Sequence, residues 1–225
     1  EVMYDRVPHT RTYRWWAVPG RNSNEKVQLD LAASVLGDGK NSRLYQALVY
    51  NNQLASNVNV YVEQHTLASI FTIDVTLKEG SSLDEVNQIM DAEIERFLAE
   101  GPSNDELERV KTQANATLIR GLEQIGGFGG KATALAQGEL YAGDPAFFLK
   151  ANDWLNKATP ATVQETASEW LNKGRYQLDV LPFADYTTME SQIDRSKGLP
   201  PVGKLPDLAF PDIQRAELKN GFDVV

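Results

Sequence analysis

The sequence predicts an α+β domain in which an antiparallel sheet is covered on one face by long helices. Two neighbouring segments, residues 56–63 and 69–77, alternate apolar and polar side chains and lie close enough to be joined as a hairpin. Helix signals then follow one another with no strand pattern until residues 176–181. Hairpin-joined strands with helices gathered after them favour segregated layers over a parallel α/β arrangement.

Residues 12–18 are aromatic and β-branched and stop at Pro19-Gly20, which marks a first strand. Ser23 can cap a helix whose apolar face is Val27, Leu31, Val35 and Leu36, ended by Gly37, Asp38 and Gly39. A short helix from Ser42 is expected to bury Leu44, Ala47 and Leu48. In the hairpin, Val58, Val60 and Val62 form one buried face and Phe71, Ile73, Val75 and Leu77 the other, with residues 64–68 connecting them. Ser82 to Glu85 reads as a capping box opening a helix that buries Leu83, Val86, Met90, Ile94 and Phe97. After Gly101-Pro102, a second box from Ser103 to Glu106 opens a helix burying Leu107, Val110, Ala114 and Leu118. Asp144-Pro145 and Thr159-Pro160 each set a capping side chain before a proline at the first helical position. Their helices should bury Phe148, Ala151, Trp154 and Leu155, then Val163, Ala167, Trp170 and Leu171. Between them, Gly126, Gly127, Gly129 and Gly130 around Phe128 would cost a helix on the order of 1 kcal/mol each. They therefore mark a helix break with close backbone packing, or a flexible wall facing a bound peptide.

The expected organisation is one domain over residues 1–185, a proline-rich linker over 186–211 holding Pro200, Pro201, Pro206 and Pro211, and a hairpin over 212–225 turning at Asn220-Gly221. That hairpin is read as the opening of a following repeat, cut short. With no initial methionine, the chain is expected to begin inside a longer protein, so the lack of a targeting signal does not locate it.

Of the 225 residues, 42% are hydrophobic and 24% charged, which excludes a disordered chain. The net charge of −9 argues against a general nucleic-acid binder, and no apolar run is long enough for a membrane span. Cysteine is absent, which removes disulfides, thiolate metal sites and cysteine nucleophiles.

A zinc hydrolase needs clustered ligands, typically two histidines one helical turn apart plus a carboxylate. His9 and His65 are far apart and in or near strands, and neither H-x-x-E-H nor H-E-x-x-H occurs, so the chain is expected to supply no metal ligand. A phosphate loop fails where Ile125 and Ala132 replace its first glycine and its hydroxyl residue. Gly37 to Ser42 follows a helix and lacks the third glycine of a dinucleotide fingerprint. A Ser-His-Asp triad has no nucleophile-elbow sequence to support it.

The stretch from Leu36 to Leu48, with Gly37, Gly39, Ser42, Arg43 and Leu44, resembles the lgGgxxSRLfqxL signature of the pitrilysin family, the inverzincin zinc metalloproteases that include insulin-degrading enzyme and the mitochondrial processing peptidase. Gly101 to Lys111 is similar to the family's GpteeELeraK, and Tyr141 to Pro145 and Thr159 to Val163 match two later stretches in the same order. The resemblance implies repeated α+β domains that close in two halves around an unfolded peptide, one of which holds H-x-x-E-H and the zinc. A domain of the opposite half carries an Arg and a Tyr near the scissile bond, in the pattern LRexxgLaY. Here Val49 and Ser56 occupy those two positions. Valine supplies no cation or donor, and serine is too short to replace a tyrosine hydroxyl. The resemblance thus implies a domain with no catalytic residue of its own, belonging to the first half of a two-repeat bacterial protease. Zinc would be bound by another domain, with those other domains and a peptide or unfolded polypeptide as partners. Arg43 and Tyr45 remain, as parts of a signature common to active and inactive copies, and no substrate-binding residue is assigned. Likeness to exported members suggests the periplasm or cell envelope. Two other readings are open: a catalytically inactive assembly subunit derived from such a protease, and an independent peptide-binding module.

Overall fold

A computed structural model describes residues 1–184, 198, 203 and 214–224. Two compact units divide the chain, Glu1–Ala184 and Asp185–Val225. The predicted linker over 186–211 lies outside the described residues apart from Gly198 and Gly203.

The first unit is a five-stranded sheet with helices on one face. Its strands are β1 (Val2–Asp5), β2 (Arg11–Pro19), β3 (Ala55–Glu63), β4 (Ala68–Leu77) and β5 (Tyr176–Pro182), in the order β1-β5-β2-β4-β3. The pairs β5-β2, β2-β4 and β4-β3 are antiparallel, and β1 adds to β5 in parallel at the edge. Strand periodicity turns Trp16, Val18, Val58, Val60, Val62, Phe71, Ile73 and Val75 inward, where all are buried. Trp16 meets Phe71 edge to face, ring centroids 5.9 Å apart.

The helices are α1 (Asn24–Gly37), α2 (Arg43–Tyr45), α3 (Leu83–Glu100), α4 (Asn104–Glu123), α5 (Lys131–Ala142), α6 (Phe147–Lys157) and α7 (Pro160–Leu171). Ser23, Ser103 and Thr159 cap as expected, the last two in complete capping boxes. Ser82 makes only half of one: its hydroxyl accepts from the Glu85 amide at 3.3 Å. The short helix from Ser42 is only three residues of α-helix and continues as a π-helical stretch, Gln46–Asn51.

Several burial expectations fail at the rim. Ala47, Leu83 and Trp170 are half-buried, as are Ala114 and Leu118 on the far half of α4, and no residue of α6 is fully buried. The reason is placement: α6 packs chiefly on α1 and α5, beyond the sheet, so no second layer closes over it. Its start is also displaced, from the expected Pro145 to Phe147. The Asp144 carboxylate accepts from the Ala146 amide and its carbonyl from the Phe147 amide, a turn that precedes the helix.

In the second unit, β6 (Ala216–Glu217) and β7 (Asp223–Val224) pair antiparallel. The turn is shifted from a centred Asn-Gly pair: the Gly221 amide donates to the Leu218 carbonyl, closing over Lys219-Asn220, and Gly221 takes φ +81°.

Two contacts lock the helical layer. At the end of α1, Gly37 lies against β3 so closely that a Cβ would sit 2.3 Å from Val60 Cγ2 and 2.8 Å from its backbone nitrogen. In addition, Arg43 forks onto Glu106, Nε to Oε1 at 2.8 Å and Nη2 to Oε2 at 2.7 Å, while Nη2 also donates 2.9 Å to the Gly101 carbonyl. Glu106 is also the box residue that accepts from the Ser103 amide at 2.8 Å. The guanidinium contact, ahead of the capping bond, holds the Glu106 carboxyl at about 2 instead of 4.5.

Two outcomes follow. Gly37→Ala, stabilising in an ordinary helix, should here lower the unfolding free energy by about 2 kcal/mol in denaturant titrations, because overpacking against strand backbone outweighs propensity. Because the folded pKa of Glu106 is depressed, its stabilisation is complete above its unfolded value and is lost as pH falls from about 5 toward 2. Glu106→Gln should therefore cost roughly 2 kcal/mol at neutral pH, after discounting for solvent screening of a part-exposed carboxylate. Its deficit relative to the unsubstituted chain should nearly vanish near pH 2, read from unfolding curves across that range.

Candidate functional site

Val49 and Ser56 stand at the two ends of the connection from the π-helical stretch to β3. Val49 is half-buried and packs against the core. The connection is held by the Leu54 amide on the Leu48 carbonyl and the Lys78 amide on the Leu54 carbonyl, both 2.9 Å. Asn52 donates from its backbone and its side chain to the Ala47 carbonyl. Gln53 takes φ +53°, a left-handed conformation that favours glycine, at the position where LRexxgLaY has one. Ser56 lies in the β-bulge between Ala55 and Asn57, exposed, and its hydroxyl donates 3.2 Å to the Thr76 carbonyl of its own sheet. The two positions therefore present a packed isopropyl group and a hydroxyl already engaged with backbone.

Tyr45 is half-buried in α2, and Arg43 spends its guanidinium on Glu106, Gly101 and the Phe97 ring, 5.3 Å from the centroid. Within the same signature, the Ser42 hydroxyl, buried, donates 2.7 Å to the Gly39 carbonyl and folds the glycine loop on itself.

The donor set does not fit zinc. His9 is exposed in the β1–β2 loop, and His65 in the β3–β4 turn has only Glu63 nearby, Nε2 to Oε1 at 3.4 Å. Among the described residues no three His, Asp or Glu side chains gather as ligands. The glycines after α4 form a tight reversal: Gly127 and Gly129 take φ +81° and +87°, and a Cβ on Gly130 would lie 2.4 Å from the Gly126 carbonyl oxygen. Phe128 at its tip is fully exposed.

An apolar cleft of about 310 Å³ opens between α1, α4, α5 and α6, walled by Val27, Leu118, Phe147, Phe148 and Leu155. Its one ion pair is Lys26 Nζ to Asp30 Oδ2, 2.5 Å, and it holds no nucleophile paired with a base.

Sequence reading missed a buried polar cluster. Arg14, wholly buried on β2, bonds Asp91 at 2.7 Å and the Asn87 carbonyl and side-chain oxygens at 3.2 and 3.1 Å, while Arg175 reaches the same Asp91 at 2.9 Å. Burial pushes the Arg14 guanidinium below its ordinary value, with Arg175 adding to the effect. The period-2 pattern of residues 12–18 held the signal, since it puts Arg14 on the side of Trp16 and Val18. The cluster ties α3 to the sheet, and Asp91 and Arg175 at its edge line an open cleft of about 290 Å³ together with Trp16, Glu95 and Lys173.

The sequence model of the peptidase M16 inactive domain matches residues 2–114. No curated protein is significantly similar in sequence. Among solved structures, a protease from Helicobacter pylori superposes with TM-score 0.73 at 20% identity, covering 81% of this chain but 43% of that one. A candidate zinc protease from Bordetella pertussis gives 0.68 at 26% identity over 77% of this chain and 94% of that one. The periplasmic protease PqqL from Escherichia coli gives 0.66 at 16% identity, over 81% of this chain and 20% of that one. This chain thus spans less than half of the Helicobacter and Escherichia proteins. The match over half its length, a span that includes the Arg43 signature, shows that the chain belongs to the M16 peptidase family and carries that family's inactive domain.

Proposed function

We propose that this domain is a non-catalytic wall of the chamber in which a zinc metalloendopeptidase encloses and hydrolyses peptides. The observation that carries the reading is the pair Val49 and Ser56: one is half-buried against the core and the other is tied to the Thr76 carbonyl, where the catalytic pattern has Arg and Tyr. The fold signature around them is intact, Arg43 included, so the domain keeps its architecture without groups able to stabilise an oxyanion. In this proposal the zinc is held by another domain of the parent, and residues 212–225 open a following repeat beyond a linker at 186–211. A periplasmic or envelope location is supported by likeness to PqqL, which is described as periplasmic. No helix among the described residues is long and apolar enough to cross a membrane.

Calorimetric titration of the 225-residue chain with zinc should show no saturable binding, whereas the parent should bind zinc and lose peptide cleavage on chelation. Val49→Ala and Ser56→Ala in the parent should change kcat/KM by less than about twofold, since neither side chain contributes to the transition state. A tenfold or larger loss from either, with the fold intact, overturns the reading. A parent without bound zinc and without cleavage favours the assembly-subunit alternative instead.

A further inference from the structure

The cleft between α1, α4, α5 and α6 joins an unfilled apolar wall to an unpaired cation. The spacing along α4 and α6 assigns Ala114, Leu118, Phe148, Ala151 and Leu155 to a core, yet all five are half-buried and line this one space of about 310 Å³. That volume stands at the low end of the range for ligand cavities and suits a small molecule.

Only three of the residues around the cleft are charged: Arg21, Lys26 and Asp30. Lys26 is 5% exposed and holds its ammonium 2.5 Å from Asp30 Oδ2, so these two charges offset each other. Burial also pushes the Asp30 carboxyl above its ordinary value, against the pull of Lys26, which makes it a poor counter-ion for anything else. Arg21 is the charge left over. Its guanidinium carbon lies 3.9 Å from the centroid of the Tyr141 ring, and its backbone amide donates 3.0 Å to the His65 carbonyl. The side chain of the next residue, Asn22, donates to the Tyr141 carbonyl, so the loop that carries the cation is fastened to α5. Stacking on a ring uses the face of a guanidinium and leaves its N–H edge for an anion. Among the described residues, no carboxylate stands at ion-pair distance from Arg21 and no acceptor meets its side-chain N–H groups. A chain of net charge −9 therefore keeps one oriented, uncompensated cation beside an apolar cleft.

We propose that this cleft binds a small molecule with an apolar body and a single carboxylate, the body between α4 and α6 and the carboxylate on the Arg21 guanidinium. A charge-assisted fork from arginine fixes the head group, and the body removes from water the apolar area that the two helices leave exposed. A ligand ammonium would meet Arg21 as a like charge and find Asp30 already engaged by Lys26. The site goes beyond the chamber reading and does not depend on it, since every group it uses lies in the first unit.

The test is calorimetric titration of the 225-residue chain with octanoate, N-acetyl-leucine, the amide of each, and octylammonium. At least one acid should bind saturably, roughly tenfold more tightly than its amide and more weakly as salt rises. Amide shifts should appear at Arg21, Leu118, Phe148 and Ala151. Octanoate alone assigns the site to fatty acids, and N-acetyl-leucine alone to the acid ends of cleaved peptides. Arg21→Gln should weaken the acid roughly tenfold and leave its amide unchanged, with an unaltered unfolding midpoint. Ala151→Phe, which fills the space from a half-buried position, should abolish binding of both; if it lowers the midpoint, Arg21→Gln decides alone. Equal binding of acid and amide, tighter binding of octylammonium, full affinity in Arg21→Gln, or no binding at all overturns the proposal. Zinc binding and cleavage by the parent are measured separately, so this proposal and the chamber reading can each fail without the other.

Discussion

The fork between Arg43 and Glu106 is the constraint on which the helical layer depends. It joins α2 to the first turn of α4 across 63 positions of sequence, and its second branch reaches the Gly101 carbonyl at the corner between α3 and α4. That corner is itself tight: Gly101 takes φ +72° and a Cβ there would come within 3.0 Å of the Gln164 side chain on α7. One cation therefore fixes the relative placement of three helices. Lysine could not substitute, because a point charge cannot satisfy two carboxylate oxygens and a carbonyl in one plane. The same carboxylate also caps α4, so loss of the pair would loosen a helix end along with a tertiary contact.

On the proposed reading, this is how an inactive peptidase domain keeps its signature without the chemistry. Val49 and Ser56, the positions proposed to match the catalytic Arg and Tyr, border a surface connection. Arg43, Gly37 and Glu106 hold interior contacts whose removal would be felt throughout the layer. On the proposed reading, residues that fold the domain and the positions that act on substrate in the catalytic pattern are neighbours in one motif yet answer to different constraints.

Much of the sheet and of the central helices was legible because period 2 and period 3.6 each match a buried face there. Val58, Val60 and Val62, and likewise Val86, Met90, Ile94 and Phe97, are buried as their spacing requires. What was not legible depends on which layer lies next to a helix. The pattern of α6 is as amphipathic as that of α3, but nothing in it tells that α6 sits past the sheet edge. Arg14 was hidden for a related reason: an inward arginine makes sense only once Asp91 and Asn87 on α3 are known to lie above it. That Val49 and Ser56 stand where the resembled pattern has Arg and Tyr is a reading of residue identities alone. How their side chains are engaged needed the coordinates.

The order of the strands has a further consequence, for synthesis. β2 is the middle strand, and its neighbour on one side, β5, comes from the far end of the unit; the Thr12 hydroxyl bonds Asp179 from 167 positions away. Until the ribosome has delivered Tyr176–Pro182, one edge of β2 stays unpaired and β1 has no strand to join. The hairpin and its helices can assemble beforehand, since their contacts are nearer in sequence. The nascent domain must therefore carry an open sheet edge through most of its translation, a period in which it is vulnerable to association with other chains.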